Sequence, residues 1–430
     1  MMDISIWHRG CPVSFCSLLC EKMFAIVWGK FGFVGMNQMA KLIEVTGKAL
    51  SGEWGTEDVN GVGIPVLRTT NFTNEGIINY ENVVTRTITK KNIEEKYLKY
   101  GDIIIEKSGG SDKQPVGRVV FFEGPEQKYL FNNFTGLLRV KDKEKWNPKY
   151  VFYTLFSNYR RGITKSFENK TTGLHNLKID DYVSRIEVKD KVFENQINIC
   201  GKLDTIRRVI KSQEEQLFKY DELIKSRFVE MFGDPVNNPF EWEKVSLSEL
   251  AEIKIGPFGS LLHKDDYIED GHPLVNPSHI KDGKIITDNK LTISDEKFDE
   301  MAAYHLKIGD VVMGRRGEMG RCAVVTEDGL LCGTGSLLIR SKGEITADYI
   351  QKIISFPSFK KIIEDMAVGQ TMPNLNVPIV SNFKIIKPPI GVQHKYYSFV
   401  HQVDKLKLTT QKSLEKTQLL FDSLMQQYFG

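Results

Sequence analysis

Cysteine is sparse and badly placed for chemistry. Six are present, three of them crowded at Cys11, Cys16 and Cys20 and the others scattered at Cys200, Cys322 and Cys332. No Cys-x-x-Cys pair occurs, which leaves neither a zinc site nor a redox motif and suits free thiols in a reducing compartment. Charge of one sign is also missing, because 58 Lys and Arg against 55 Asp and Glu leave a net charge of +3. A strongly basic chain is thereby excluded, so any nucleic-acid reading must rest on where Lys and Arg sit. Long apolar runs are absent too. Glu21, Lys22 and Lys30 break the apolar N-terminal stretch, which excludes a spanning helix of about 20 residues. That stretch has no clean apolar core with a small-residue cleavage site, so it does not read as a signal peptide. It is expected to be a spurious or disordered extension over 1–35, with translation starting at Met36 or Met39.

Catalytic signatures are lacking as well. There is no G-x-x-x-x-G-K-[ST] phosphate loop. A methyltransferase would need an Asn/Asp-Pro-Pro-aromatic loop, and the nearest matches, Asn238-Pro-Phe240 and Asn276-Pro-Ser278, lack the second proline. Asp102 with Glu106 and Lys107 hints at a metal nuclease. The related segment from Asp310 has no second carboxylate, so a strand followed by a basic loop explains both better.

What the chain does have is length and an internal repeat. Its 430 residues, 41% hydrophobic and 26% charged, suit two or three folded domains. With a period near 200 residues, Tyr97-Leu-Lys-Tyr-Gly-Asp-Ile-Ile-Ile reads against His305-Leu-Lys-Ile-Gly-Asp-Val-Val-Met, and Val116-Gly-Arg against Met319-Gly-Arg. Gly136-Leu-Leu-Arg-Val reads against Ser336-Leu-Leu-Ile-Arg, Asn176-Leu against Asn374-Leu, and Pro65-Val-Leu against Pro273-Leu-Val. The order of anchors is the same in both halves. Short β-branched runs bounded by Gly and Asp read as strands, and Tyr150 to Tyr159 and Tyr349 to Ile354 as short helices.

Each half then ends in a helical run without an interior proline. Ile199, Leu203, Ile206, Ile210, Leu217, Tyr220, Ile224 and Met231 keep steps of three and four over roughly 192–232, with Gln213 in one slot. Phe399, Val403, Leu406, Thr410, Ser413, Thr417, Leu420 and Leu424 do the same over roughly 393–429. Gly233 and Pro235 end the first run as a helix stop should. Two such seams bury each other most simply as an antiparallel coiled coil related by a pseudo-two-fold. The polar slots fix its register. The expected molecule is α+β: two pseudo-repeated mixed domains, each followed by a long helix. Its expected shape is a calliper that reaches two sites on one face of B-DNA, about 34 Å apart.

The stretch Gln216-Leu-Phe-Lys-Tyr-Asp-Glu-Leu-Ile-Lys-Ser-Arg-Phe-Val-Glu-Met-Phe-Gly-Asp-Pro235 resembles the central region of type I restriction enzyme specificity subunits. Ile255-Gly-Pro-Phe-Gly-Ser260 is similar to the opening of their second recognition domain, and Leu419 to Gly430 to their C-terminal helix end. The resemblance spans about 36–430. It implies target-recognition domains over 36–190 and 241–390, a central helix over 191–233 and a C-terminal helix over 391–430. It implies that each domain reads one half of a split, asymmetric site in double-stranded DNA, while the helices set the spacer and dock methyltransferase subunits, two in number. It further implies restriction subunits, with AdoMet, ATP and magnesium on those partners and no cofactor, catalysis or membrane association in this chain, which would act in the cytoplasm. The first half departs from the pattern: Leu50-Ser-Gly-Glu-Trp-Gly55 stands where Gly-Pro-Phe-Gly-Ser is expected, which puts the loop geometry there in question.

Candidate DNA contacts fall in three places in each half. After the Gly-Asp strand come Lys107, Ser108 and Lys113, then Arg118; the second half offers Arg315 and Arg316, then Arg321. Glycines there allow close approach to phosphate, and arginine can grip guanine O6 and N7. Asn169, Lys170 and Thr172 precede Asn176, and Gln370 and Thr371 precede Asn374; amides suit adenine, although turn chemistry alone favours such residues. Arg68 with Asn71, and Asn276 with Ser278, form the third place, where His279 reads better as structural. These positions differ between halves while the framework repeats, which predicts two unlike half-sites. The competing reading is a two-domain coiled-coil scaffold for protein ligands, which has no need of basic glycine loops at one fixed place.

Overall fold

The computed structural model describes residues 38–171, 174–257, 261–318, 320–367 and 374–430. The N-terminal extension, Thr172, Gln370 and Thr371 therefore lie outside the described residues, and Lys170 is placed by its backbone alone. The chain divides into two units, Met1–Arg208 with Leu419–Gly430, and Val209–Gln418.

In the first unit an antiparallel sheet runs in the order Leu50–Ser51, Thr135–Leu138, Ile103–Glu106, Val119–Phe121. A second sheet runs Thr56–Glu57, Val84–Thr87, Ile64–Leu67, Leu130–Phe131, its last pair parallel. The second unit has the same two orders: Ala251–Ile255, Ser336–Ser341, Val311–Gly314, Cys322–Val324, and then Tyr267–Ile268, Thr292–Ile293, His272–Val275, Leu330–Cys332, with His305–Leu306 added at the edge. Strand alternation decides what each face buries. Val312 and Leu338 turn towards Val275 and Cys332 of the other sheet, while Val311, Met313, Leu337 and Ile339 turn towards Tyr349, Ile350 and Ile353 of the helix Ala347–Ile354.

The strand register corrects the repeat by one residue. Leu138 pairs with Ile103 and Ile339 with Val311, so Thr135 matches Ser336 and Arg139 matches Arg340, not Val140. Both sequences hold two leucines there, and a sequence match could not tell which faced in; a slip of one flips every side chain to the other face. The correct register puts the same ion pair in both units. Arg139 reaches buried Asp102 at 2.6 Å, and Arg340 reaches buried Asp310 at 2.6 Å. Each aspartate also caps its own turn, accepting from Lys99 N at 2.8 Å and Lys307 N at 2.7 Å.

The departure at Leu50–Gly55 leaves one framework point unchanged. A Cβ on Gly52 would fall 2.1 Å from Asn132 O, and one on Gly256 would fall 2.0 Å from Gly333 O. Both loops need a residue without a side chain where two backbones touch.

Two helices of 40 residues, Phe193–Phe232 and Ile390–Phe429, are each about 60 Å long at 1.5 Å per residue. Each is fastened near its start by a fully buried glutamine. Gln196 accepts from Asn147 N and donates to Lys145 O and Lys191 O; Gln393 accepts from Thr346 N and donates to Glu344 O and Pro388 O. Within the second unit the two helices run antiparallel. Gln213 donates to Ser413 Oγ at 2.8 Å, Lys407 reaches Asp221 at 2.5 Å, and Tyr396 donates to Ile224 O at 3.2 Å. Leu406, expected in the seam, is instead half exposed, and Lys407 takes that turn of the helix. The seam is richest where a helix end meets a sheet domain. Phe228 and Phe232 pack on Tyr349 and Tyr396, and in the first unit Phe429 packs on Tyr150 and Tyr153.

Candidate nucleic-acid interface

In the first unit the buried strand Ile103–Glu106 runs on through Lys107 into Ser108–Gly110. That extension pairs with Leu174–Leu177, which pairs with Glu168–Thr171. Two of the three sequence candidates, the basic loop and the asparagine segment, are thus neighbours in one small sheet. Leu177 N donates to Lys107 O at 2.7 Å, and Ser108 Oγ donates to Asn176 Oδ1 at 2.5 Å. Asn169 is exposed opposite Asn176. Lys107 is half-buried, its Nζ 3.1 Å from Ser51 Oγ, and burial pulls its pKa down. Lys113 is exposed at the loop tip.

In the second unit Leu375 N donates to Arg315 O at 2.9 Å, and Arg316 bridges to Asn374. Position by position, Arg315 stands where Lys107 does, Arg316 where Ser108 does and Asn374 where Asn176 does. Arg315 is only 8% exposed, whereas Arg316 is exposed. Burial, with Arg316 alongside, lowers the pKa of Arg315.

Two candidates are corrected. Arg118 is committed to the framework: its guanidinium holds Glu106 at 3.0 Å and donates to Phe72 O and Thr69 O. Asn71 is 2% exposed; its Oδ1 accepts from Arg68 N, and its Nδ2 donates to Asn79 O and Glu81 O, so no amide edge is left for a base. Arg321 is partly committed in the same way, to Pro277 O and Glu318. These two arginines staple the short turns Thr69–Asn71 and Pro277–His279 from matching places. Arg68 keeps a partly exposed side chain, donating to Asn82 O, while Ser278 is exposed beside partly buried Asn276. His279 is buried on Leu274 O at 2.7 Å, a structural histidine. With Asp102 held by Arg139 and Glu106 by Arg118, each carboxylate of the nuclease hint is neutralised by its own arginine.

Sequence reasoning missed His175. It is buried beside Glu168 at 3.1 Å and lies 3.6 Å from Asp112, and Glu168 also accepts from Val116 N. No local pattern marks a cross-strand trio of this kind. Among the described residues no helix is long and apolar enough to cross a membrane.

Residues 239–418 match the family described as type I restriction modification DNA specificity domain. The MjaVIII type I restriction enzyme specificity subunit of Methanocaldococcus jannaschii is 21% identical over 319 residues, covering 67% of this chain and 72% of its own. The family match covers less than half of the chain and falls in its second unit. The fold agrees. A specificity subunit from M. genitalium superposes with a TM-score of 0.54 at 15% identity, over 93% of this chain and 98% of its own. A chain from a study of complex assembly and conformational transition of the type I restriction–modification system gives 0.58 at 16%, over 93% and 99%. The α+β make-up of this chain is thus shared with solved chains of such systems.

Proposed function

We propose that this chain is a type I specificity subunit that reads a bipartite, asymmetric DNA site, one half with each target-recognition domain, over 36–190 and 241–390. The supporting observation is that one framework, down to the Asp102–Arg139 and Asp310–Arg340 pairs, presents unlike side chains at matching loop positions, Lys107 and Ser108 against Arg315 and Arg316, beside an asparagine common to both, Asn176 and Asn374. Phosphate contacts would orient each loop, and base contacts would specify the sequence. The helices over 191–233 and 391–430 would pair as an antiparallel coiled coil, set the spacer and dock two methyltransferase subunits. Restriction subunits would complete the complex. AdoMet, ATP and magnesium would belong to those partners, in the cytoplasm.

Methylome sequencing of cells expressing the neighbouring methyltransferase subunit, with and without this chain, tests the reading. A split, non-palindromic methylated motif is expected only when the chain is present. An active, soluble complex that adds no motif would turn attention to the protein-binding scaffold. The spacer gives a second test. One extra turn in both helices adds about 5.4 Å, equivalent to about one to two base pairs at 3.4 Å each. The methylated halves should move apart by that amount, and an unchanged spacer sinks the ruler.

A further inference from the structure

A short turn beside the first recognition loop carries an exposed aromatic ring. Phe134 O accepts from Lys107 N at 2.8 Å and from Ser108 N at 3.2 Å. Two residues earlier, Asn132 N donates to Leu67 O at 2.9 Å. Asn132 O accepts in turn from Thr135 N at 3.1 Å and from Thr135 Oγ1 at 2.8 Å. The backbone of 132–135 is thus tied down at both ends. The Phe134 side chain is nevertheless 51% exposed, and among the described residues no other ring and no cation stacks on it. The other exposed phenylalanines there are placed differently. Phe240 leans on Trp242, with centroids 6.4 Å apart, and Phe218 stands on the long helix Phe193–Phe232. A fixed turn that holds a ring in water has met its ordering cost before any partner arrives.

The second unit differs at this position. Gly335 stands where Phe134 does, its O accepting from Arg315 N at 3.0 Å as Phe134 O accepts from Lys107 N. A Cβ on Gly335 would come within 3.0 Å of Pro277 Cδ, so a side chain there would force Pro277 to give way. The framework does not need the ring, because the same turn forms without it. That is the mark of a residue that meets a partner and not of one that holds the fold. The neighbours of Phe134 narrow the partner. Ser108 is bonded to Asn176, and Lys107 and Lys113 supply positive charge. These side chains suit the phosphates and base edges of a major groove. A hydrocarbon ring finds no match in a phosphate or in the polar atoms of those edges. The C5 methyl of thymine is the apolar group that the major groove offers. We infer that Phe134 packs on the methyl of a thymine in the half-site of the first unit, as a specificity-determining residue, and that the second unit has no counterpart. This deepens the DNA-recognition reading and rests on it.

The test uses the full chain in complex with its methyltransferase subunit, offered a library of randomised double-stranded DNA. The native complex should select a split motif with a thymine at one fixed place. Phe134→Ala should relax the preference at that base pair, leave the other half unchanged, and weaken binding to the native site by about 5- to 10-fold. Its melting temperature should match that of the native chain, since the ring is half exposed. A second probe leaves the protein untouched. Deoxyuridine in place of that thymine removes only the methyl, and should weaken the native complex by about fourfold while Phe134→Ala binds both sites alike. Equal affinity of the native complex for the thymine and deoxyuridine sites would overturn the inference. So would a motif that Phe134→Ala leaves unchanged. Equal loss on every sequence would make the ring a contact to the DNA backbone, and loss of methyltransferase binding would make it a protein contact; either result overturns the inference too. A native complex that selects no motif would instead overturn the DNA reading itself.

Discussion

Arg340→Ala should destabilise the second unit by about 3 kcal/mol, lowering its melting temperature by about 6–12 °C. The reason lies in what the variant leaves behind. Asp310 has 3% of its side chain exposed and takes two hydrogen bonds from Arg340, at 2.7 and 2.6 Å. Without the guanidinium, a carboxylate remains buried with only Lys307 N to stabilise it. The loss sits at the low end for buried pairs because Arg340 keeps 28% exposure and some solvent screening. Adding Asp310→Asn should recover part of the loss, because the amide oxygen still accepts from Lys307 N while the stranded charge is gone. Urea titration of the single and double variants measures both effects. If R340A unfolds like the native chain, the pair is not structural. Arg139→Ala should reproduce the pattern in the first unit, where Asp102 is equally enclosed.

Phe228→Ala should cost about 3–5 kcal/mol. The ring is wholly buried and packs on Phe232, Tyr349, Phe356 and Tyr396, with centroids 5.0 to 6.1 Å away. Removing it empties the joint where the first long helix meets the helix Ala347–Ile354 and the start of the second long helix. Phe218, ten residues earlier on the same helix, is 67% exposed. Phe218→Ala should therefore change stability by no more than about 0.5 kcal/mol. Chemical denaturation of the two variants side by side separates them, and equal losses would refute the assignment of the joint.

These contrasts also show what could be read from the sequence. The heptad pattern found both long helices to within a few residues, because an unbroken period of three and four fits a long helix and little else. It did not single out Phe228 or Phe232, which pack on Tyr349 of the sheet domain as well as on Tyr396 of the partner helix. It placed Leu406 inside because the pattern continued, but Lys407 paired with Asp221 took the position. The repeated Gly-Asp and the arginines after paired leucines were visible as letters. Their ion pair was not, because the sequence match lay one residue off and only strand pairing fixes register. At the recognition loops, residue type named the basic and amide side chains but could not say which were free. Arg118 serves the framework through a carboxylate and carbonyls 12 to 49 residues away and Asn71 through backbone groups 3 to 10 residues away, while the Nε of Arg315 meets no partner among the described residues.

The first unit includes Leu419–Gly430, and Phe429 stacks on Tyr150 and Tyr153 of its helix Pro148–Arg160. During synthesis, therefore, the N-terminal half cannot finish when its own stretch leaves the ribosome. It must wait for more than two hundred further residues, about 10–40 s at bacterial and eukaryotic elongation rates. Through that interval the face formed by Tyr150 and Tyr153 stands uncovered, while the second unit emerges with both of its own helix segments in hand. The order of birth and the order of completion run in opposite directions, and a nascent chain stalled before Phe429 should hold a finished second half beside an unfinished first.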